Sequence, residues 1–353
     1  MGLKNFFDFG IGFGGSDNGG YYFRDAVSTD DADVVLVSVP WAVTSANGSG
    51  AAYAPDAIID ASTTVGLYDV LSGVSIEGRV ATAEVNYDIQ ESSQYLGGDA
   101  AKIVDHVEDG GVLSGEYFTR KINRINDGFR LMNSSVCAQV WHFANKGKRV
   151  GVIGGDHSVS FGAVKALSEL HPDLGVLVFD AHCDLRPSGN VFDYSHLSVV
   201  RNMLEEIPQL EKVVCVGVRD LSTADVEAAS HYPRLTMCYA EQMKAAYYGG
   251  ESWRTICNSI VEQLPHHVYI SFDIDALSPE HCPHTKSPVA GGLLFDEAVA
   301  LIAAVVESGR EIVGFDIAEI VPEIESSIDA SIGARLLVKL SAAAIKSGSK
   351  RGE

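Results

Sequence analysis

At 353 residues the chain exceeds a typical domain but stays within the reach of an undivided α/β sheet, and 46% hydrophobic content with 35 glycines excludes disordered and fibrous classes. A formal charge of −21 would repel nucleic-acid phosphates and an anionic membrane surface; it would draw in a cationic ligand, although a solvated acidic surface explains it better. Six cysteines without a C-x-x-C pair, no run of about 18 apolar residues and no cleavable leader fit a reduced, cytoplasmic protein.

Residues 1–30 are rich in Gly, Asp and aromatics without a period, which predicts an irregular N-terminal arm ahead of one domain over 31–353. Apolar, Val- and Ile-rich runs of strand length then recur at Asp33–Val39, Arg149–Gly154, Leu174–Asp180, Lys212–Val218, Val268–Asp273 and Glu311–Ile317. Helical spacing fills the intervals at Gly115–Lys146, Val159–Leu170, Leu197–Glu206, Ser222–Ser230 and Glu297–Gly309. Alternation of this kind predicts an α/β fold with a mainly parallel central sheet, helices on both faces, and ligands at the carboxyl ends of the strands.

Three of those strands end in acids and histidines. Val152-Ile153-Gly154-Gly155-Asp156-His157 closes one, Phe179-Asp180-Ala181-His182-Cys183-Asp184 a second, and Phe272-Asp273-Ile274-Asp275 a third. In an extended chain alternate residues share a side, so Asp180, His182 and Asp184 can converge, as can Asp273 and Asp275, while Cys183 points away into the core. A lone Asp at a strand end is ordinarily a cap or turn residue. Four clustered carboxylates are not explained that way, because without a counter-charge they would repel one another. Two divalent cations would bring four positive charges to those four carboxylates. Oxygen ligands outnumber imidazoles and no thiolate takes part, which suits Mn²⁺, with Ni²⁺ or Co²⁺ as alternatives.

The motifs Gly-Gly-Asp-His-Ser, Asp-Ala-His-x-Asp and Ser-Phe-Asp-Ile-Asp-Ala-Leu together resemble those of the ureohydrolases, the arginase and agmatinase family of binuclear manganese enzymes. The resemblance runs from about Asp33 to about Lys346 and implies the three-layer arginase-like fold. It implies two Mn²⁺ ions, bridged by Asp180 and Asp273, with His157 and Asp184 completing one and His182 and Asp275 the other. It further implies hydrolysis of a guanidine or amidine carbon by water activated between the ions. His196, Glu319 and Asp184 are the implied catalytic residues: His196 shuttles a proton, and Glu319 holds the cationic end of the substrate.

Asp184-Leu185-Arg186-Pro187, Tyr194-Ser195-His196 and Ala54-Pro55-Asp56 look closest to agmatinases, making agmatine, cleaved to putrescine and urea, the leading substrate. Where agmatinases commonly carry Gly-Thr-Gly-Thr-Pro-Glu, this chain reads His284-Thr285-Lys286-Ser287-Pro288-Val289, so the loop is expected to be rebuilt. Lys286 and Arg186 are then candidate partners for a substrate carboxylate, favouring 4-guanidinobutyrate or N-formiminoglutamate, and free guanidine stays open. The resemblance also implies a trimer or hexamer, and its other outcome is a non-catalytic regulatory homologue.

Overall fold

The computed structural model describes residues 20–24, 26–45, 50–187, 191–323 and 326–349. Most of the expected arm, 1–19 and 25, lies outside the described residues. Of its described residues Tyr22 and Phe23 pack inward, and the Tyr22 hydroxyl lies 2.9 Å from Ser38 Oγ.

The strands are β1 (Val34–Val39), β2 (Tyr68–Asp69), β3 (Val74–Ser75), β4 (Val80–Thr82), β5 (Arg149–Gly154), β6 (Leu174–Phe179), β7 (Lys212–Val218), β8 (Leu235–Tyr239), β9 (His267–Asp273) and β10 (Glu311–Ala318). Eight form one sheet in the order β4-β1-β5-β10-β9-β6-β7-β8, every neighbouring pair parallel; β2 and β3 make a separate antiparallel pair. The helices are α1 (Ala54–Ser62), α2 (Tyr87–Glu108), α3 (Glu116–Ala144), α4 (Ser160–Leu170), α5 (Val199–Glu206), α6 (Thr223–Ser230), α7 (Ala240–Tyr248), α8 (Trp253–Val261), α9 (Phe295–Glu307) and α10 (Ile328–Gly348). Among the described residues no helix is long and apolar enough to cross a membrane.

Period-two alternation sends each strand into two cores. From β6, Leu177 and Phe179 join the side covered by α1, α8, α9 and α10, whereas Val176 and Val178 join the side covered by α2, α3, α4 and α5. Both faces of the sheet are therefore dry, which is why its strands read as continuous apolar runs. Phe179 stacks on Phe272 of β9 with centroids 4.6 Å apart, tying together two of the strands that carry the site.

All six expected strands and all five expected helices are present within a few residues. Of the elements that were not foreseen, α10 is buried over most of its surface along Ala330–Ile345, leaving only a narrow polar stripe at Ser331, Arg335 and Lys339 to mark its turn. β4 has three residues, and edge strand β8 is only half-buried throughout. α2 did carry a signal: Asn86 caps it by accepting the Asp88 N–H at 3.1 Å, ahead of buried Ile89, Leu96 and Ile103.

Candidate metal centre and active site

The four central strands β5, β10, β9 and β6 all end on the same edge of the sheet. His157 follows β5, Glu319 follows β10, Asp273 ends β9 and Asp180 follows β6, so parallel register alone gathers residues far apart in sequence.

Local turns finish the job, and they differ from the extended geometry expected of the motifs. Asp273 caps a 3₁₀ turn at Ile274–Ala276 by accepting the Asp275 N–H at 2.9 Å, and Asp180 Oδ1 accepts the His182 N–H at 2.6 Å. The Ala181 N–H donates to Asp275 Oδ1 at 2.9 Å, stitching the two motifs together. Asp184 adopts a left-handed backbone with φ 49°, as does Glu319 with φ 61°. Such conformations cost a non-glycine residue roughly 1–3 kcal/mol and persist where surrounding contacts enforce them, commonly at functional sites. The convergence foreseen from alternation is thus real, but chain reversal produces it. Cys183 turns into the core as expected, and burial pushes its thiol up to about 12.

His157 Nδ1 lies 3.0 Å from Asp184 Oδ2, 3.1 Å from Asp180 Oδ2 and 3.5 Å from Asp273 Oδ2. His182 Nδ1 lies 3.0 Å from Asp275 Oδ2 and 3.4 Å from Asp180 Oδ1. Two groups of possible metal donors result, His157–Asp180–Asp184 and Asp180–His182–Asp275, and they share Asp180. All of these side chains are buried except that of His182, which is 20% exposed. Asp180 Oδ2, though buried, makes no hydrogen bond of sound geometry.

This donor set fits a pair of cations and is poorly satisfied by protons alone. Burial, then the Asp180 charge, pushes Asp184 up to about 7; burial, then Asp275 and Asp180, holds Asp273 well above the usual carboxylate range. Burial opposes a charge on His182, but Asp180 and Asp275 outweigh it and raise the imidazole to about 11. Without metal the histidines act as the missing cations. The His157 Nε2–H donates to Ser271 Oγ at 2.9 Å, and the Ser271 hydroxyl to Asp316 Oδ1 at 3.2 Å, which turns Nδ1 toward the carboxylates as a metal ligand requires.

Glu319 Oε1 accepts the His157 N–H at 3.1 Å and Oε2 accepts the Ser45 hydroxyl at 3.5 Å; burial, then the Asp156 charge, pushes it up to about 8. His196 Nδ1 lies 3.0 Å from Thr44 Oγ1 and its Nε2 lies 3.1 Å from Lys286 Nζ. Burial, then Lys286 and Arg186, holds His196 well below its ordinary value. His182, Asp184, Asp273, Asp275, His196, Thr285, Lys286 and Glu319 line one cavity of about 20 Å³. Arg186 is exposed, its backbone N–H bonded to Leu197 O at 3.0 Å, and next to it residues 188–190 lie outside the described residues.

Sequence reasoning missed the supports. Arg219 donates to the carbonyls of Asp275 at 2.8 Å and Val289 at 2.9 Å, clamping the second ligand turn to the loop that carries Lys286. Asp316 was visible only as an acid inside an apolar strand. Gly155 has a purely steric role: a Cβ there would lie 2.1 Å from Trp41 O. Gly155→Ala should therefore displace the turn leading into His157 and destabilise the protein by about 3 kcal/mol, read as a lowered Tm together with reduced metal content. An unchanged Tm would mean that Trp41 yields freely.

The model for the arginase family matches residues 32–342. Human arginase-1 is 28% identical over 188 residues, covering 49% of this chain and 58% of that protein; an agmatinase of Bacillus cereus is 28% identical over 187 residues, covering 53% and 60%. The chain thus spans about three fifths of the length of these curated relatives. The crystal structure of an agmatine ureohydrolase of Thermoplasma volcanium superposes with a TM-score of 0.70 at 22% identity, covering 94% of this chain and 96% of that one, a likeness of fold. With the family model matched across 32–342, the chain belongs to the arginase family.

Proposed function

We propose that the chain hydrolyses a C–N bond in a small guanidine or amidine with two divalent cations, Mn²⁺ by donor chemistry, held by His157, Asp180, His182, Asp184, Asp273 and Asp275. The observation that carries this reading is the placement of His196 and Glu319 on the same small cavity as four of those ligands. When bound, the cation pair would neutralise the four carboxylates and acidify water for attack on the amidine carbon. Glu319, buried and fixed by His157 and Ser45, offers a carboxylate to the N–H groups of the substrate. As the carbon becomes tetrahedral the departing nitrogen needs a proton, and His196 is the imidazole placed to carry it, oriented by Thr44.

Assays for urea or ammonia with agmatine, arginine, 4-guanidinobutyrate, guanidine and N-formiminoglutamate, with Mn²⁺ and then Ni²⁺, test the proposal. No product from any of them by metal-loaded protein would favour a non-catalytic homologue. His196→Ala should lower kcat about 10²-fold while KM changes little, and an unchanged kcat would remove its proton-carrying role. Agmatine, favoured by the motifs, would bring a second cation to a cavity that already contains the Lys286 ammonium.

A further inference from the structure

We infer that Lys286 selects a substrate whose tail ends in a carboxylate, and that this anion draws the lysine off His196 as it binds. The inference rests on the hydrolase reading of the same site. Its ground is where the side chain lies. The Lys286 ammonium donates to His196 Nε2 at 3.1 Å and reaches Thr44 O at 3.5 Å, so at rest it occupies the nitrogen that the proton transfer needs. It also lines one cavity with Glu319 and four of the candidate metal donors, so a substrate entering there meets it.

The loop around it is built for the purpose. Neither His284 nor Lys286 has a positive φ, so the backbone accommodates side chains where glycines were expected. His284 anchors the loop by its Nδ1, 2.7 Å from the buried Asp329 Oδ2, and Asp329 Oδ1 accepts the His284 N–H at 3.1 Å. One residue on, Thr285 also lines the cavity. The Lys286 ammonium is a charge-assisted donor for a carboxylate. A cationic tail would meet the lysine's repulsion, and could not exchange one of its bonds for a better one. Burial lowers the lysine's own proton affinity, so exchange of an imidazole partner for an anion is favoured on charge as well.

The matched pair 4-guanidinobutyrate and agmatine tests this, since both carry the same guanidine on tails of similar length and opposite charge. Turnover and calorimetric binding would be measured on Mn²⁺-loaded wild type, Lys286→Met and Lys286→Arg. Wild type should prefer the carboxylate by at least about 30-fold, Lys286→Met should lose that preference mainly through KM, and Lys286→Arg should retain part of it. A wild-type preference for agmatine, or an undiminished carboxylate preference in Lys286→Met, overturns the inference. If wild type turns over neither compound, calorimetry still decides: lysine-dependent binding of 4-guanidinobutyrate sustains the recognition and failure to bind it overturns the inference, while the hydrolase reading stands or falls on the wider substrate panel.

Discussion

Asp273→Asn should reduce bound metal to well below two ions per chain and turnover by about 10³-fold or more, while leaving the metal-free protein as stable as before. The two halves of this expectation have one cause. Burial and the charges of Asp275 and Asp180 hold Asp273 well above the usual carboxylate range, so the metal-free site favours its protonated form. Asn is nearly the shape of that protonated acid and can still accept the Asp275 N–H that caps the turn. What it cannot do is present a negative charge to a cation. Elemental analysis, a product assay and melting in EDTA read the three effects separately; normal turnover with near-normal metal would exclude Asp273 from the centre.

Asp180→Asn should be as damaging to metal binding, for a different geometric reason. Asp180 is common to both groups of donors, with one oxygen toward His157 and the other toward His182. Losing it would remove a donor from both candidate cation sites, where loss of Asp184 or Asp275 would strip a donor from one. Asp180 also differs in the metal-free state: although burial opposes its charge, the His157 and His182 imidazoliums beside it outweigh that and lower its proton affinity. The Asn variant should therefore melt lower than wild type in EDTA, in contrast to Asp273→Asn.

The candidate ligands were legible because they sit at strand ends in short motifs, and the sheet because its strands are dry on both faces. The order of strands was not legible, since two of its seven pairings join residues more than a hundred positions apart, as with Val150 beside Gly314. Nor was the backbone of the motifs: alternation put Asp180, His182 and Asp184 on one side, whereas the chain achieves this by bending and by a left-handed Asp184. Lys286 could be singled out by its departure from an expected glycine, but its contact with His196 spans 90 positions and needed coordinates. Ser271, Asp316 and Arg219 act by holding other residues, and their types carry no mark of that.

Stability should respond to pH in opposite senses with and without metal. Asp184, raised from 3.8 to about 7, and Glu319, raised from 4.5 to about 8, bind protons more tightly folded than unfolded, so their contribution falls as pH rises from about 4 to about 8. His182, raised from 6.5 to about 11, stabilises fully below its unfolded value and loses that contribution as pH climbs toward 11. Both trends weaken the metal-free protein across pH 5.5 to 8.5. The part of the Asp184 shift that falls within this window is worth on the order of 2 kcal/mol, enough to lower Tm by about 3 °C. Cations replace these protons on the same oxygens, and ligands must be deprotonated to bind them, so metal affinity rises over the same interval. At a thousandfold excess over Kd, a bound cation adds about 4 kcal/mol. Melting curves in EDTA should therefore slope downward with pH, curves in Mn²⁺ should be level or rise, and the gap between them should widen toward pH 8.5. Parallel curves would mean that the carboxylates do not exchange protons for metal, and the charge argument for the centre would fail with them.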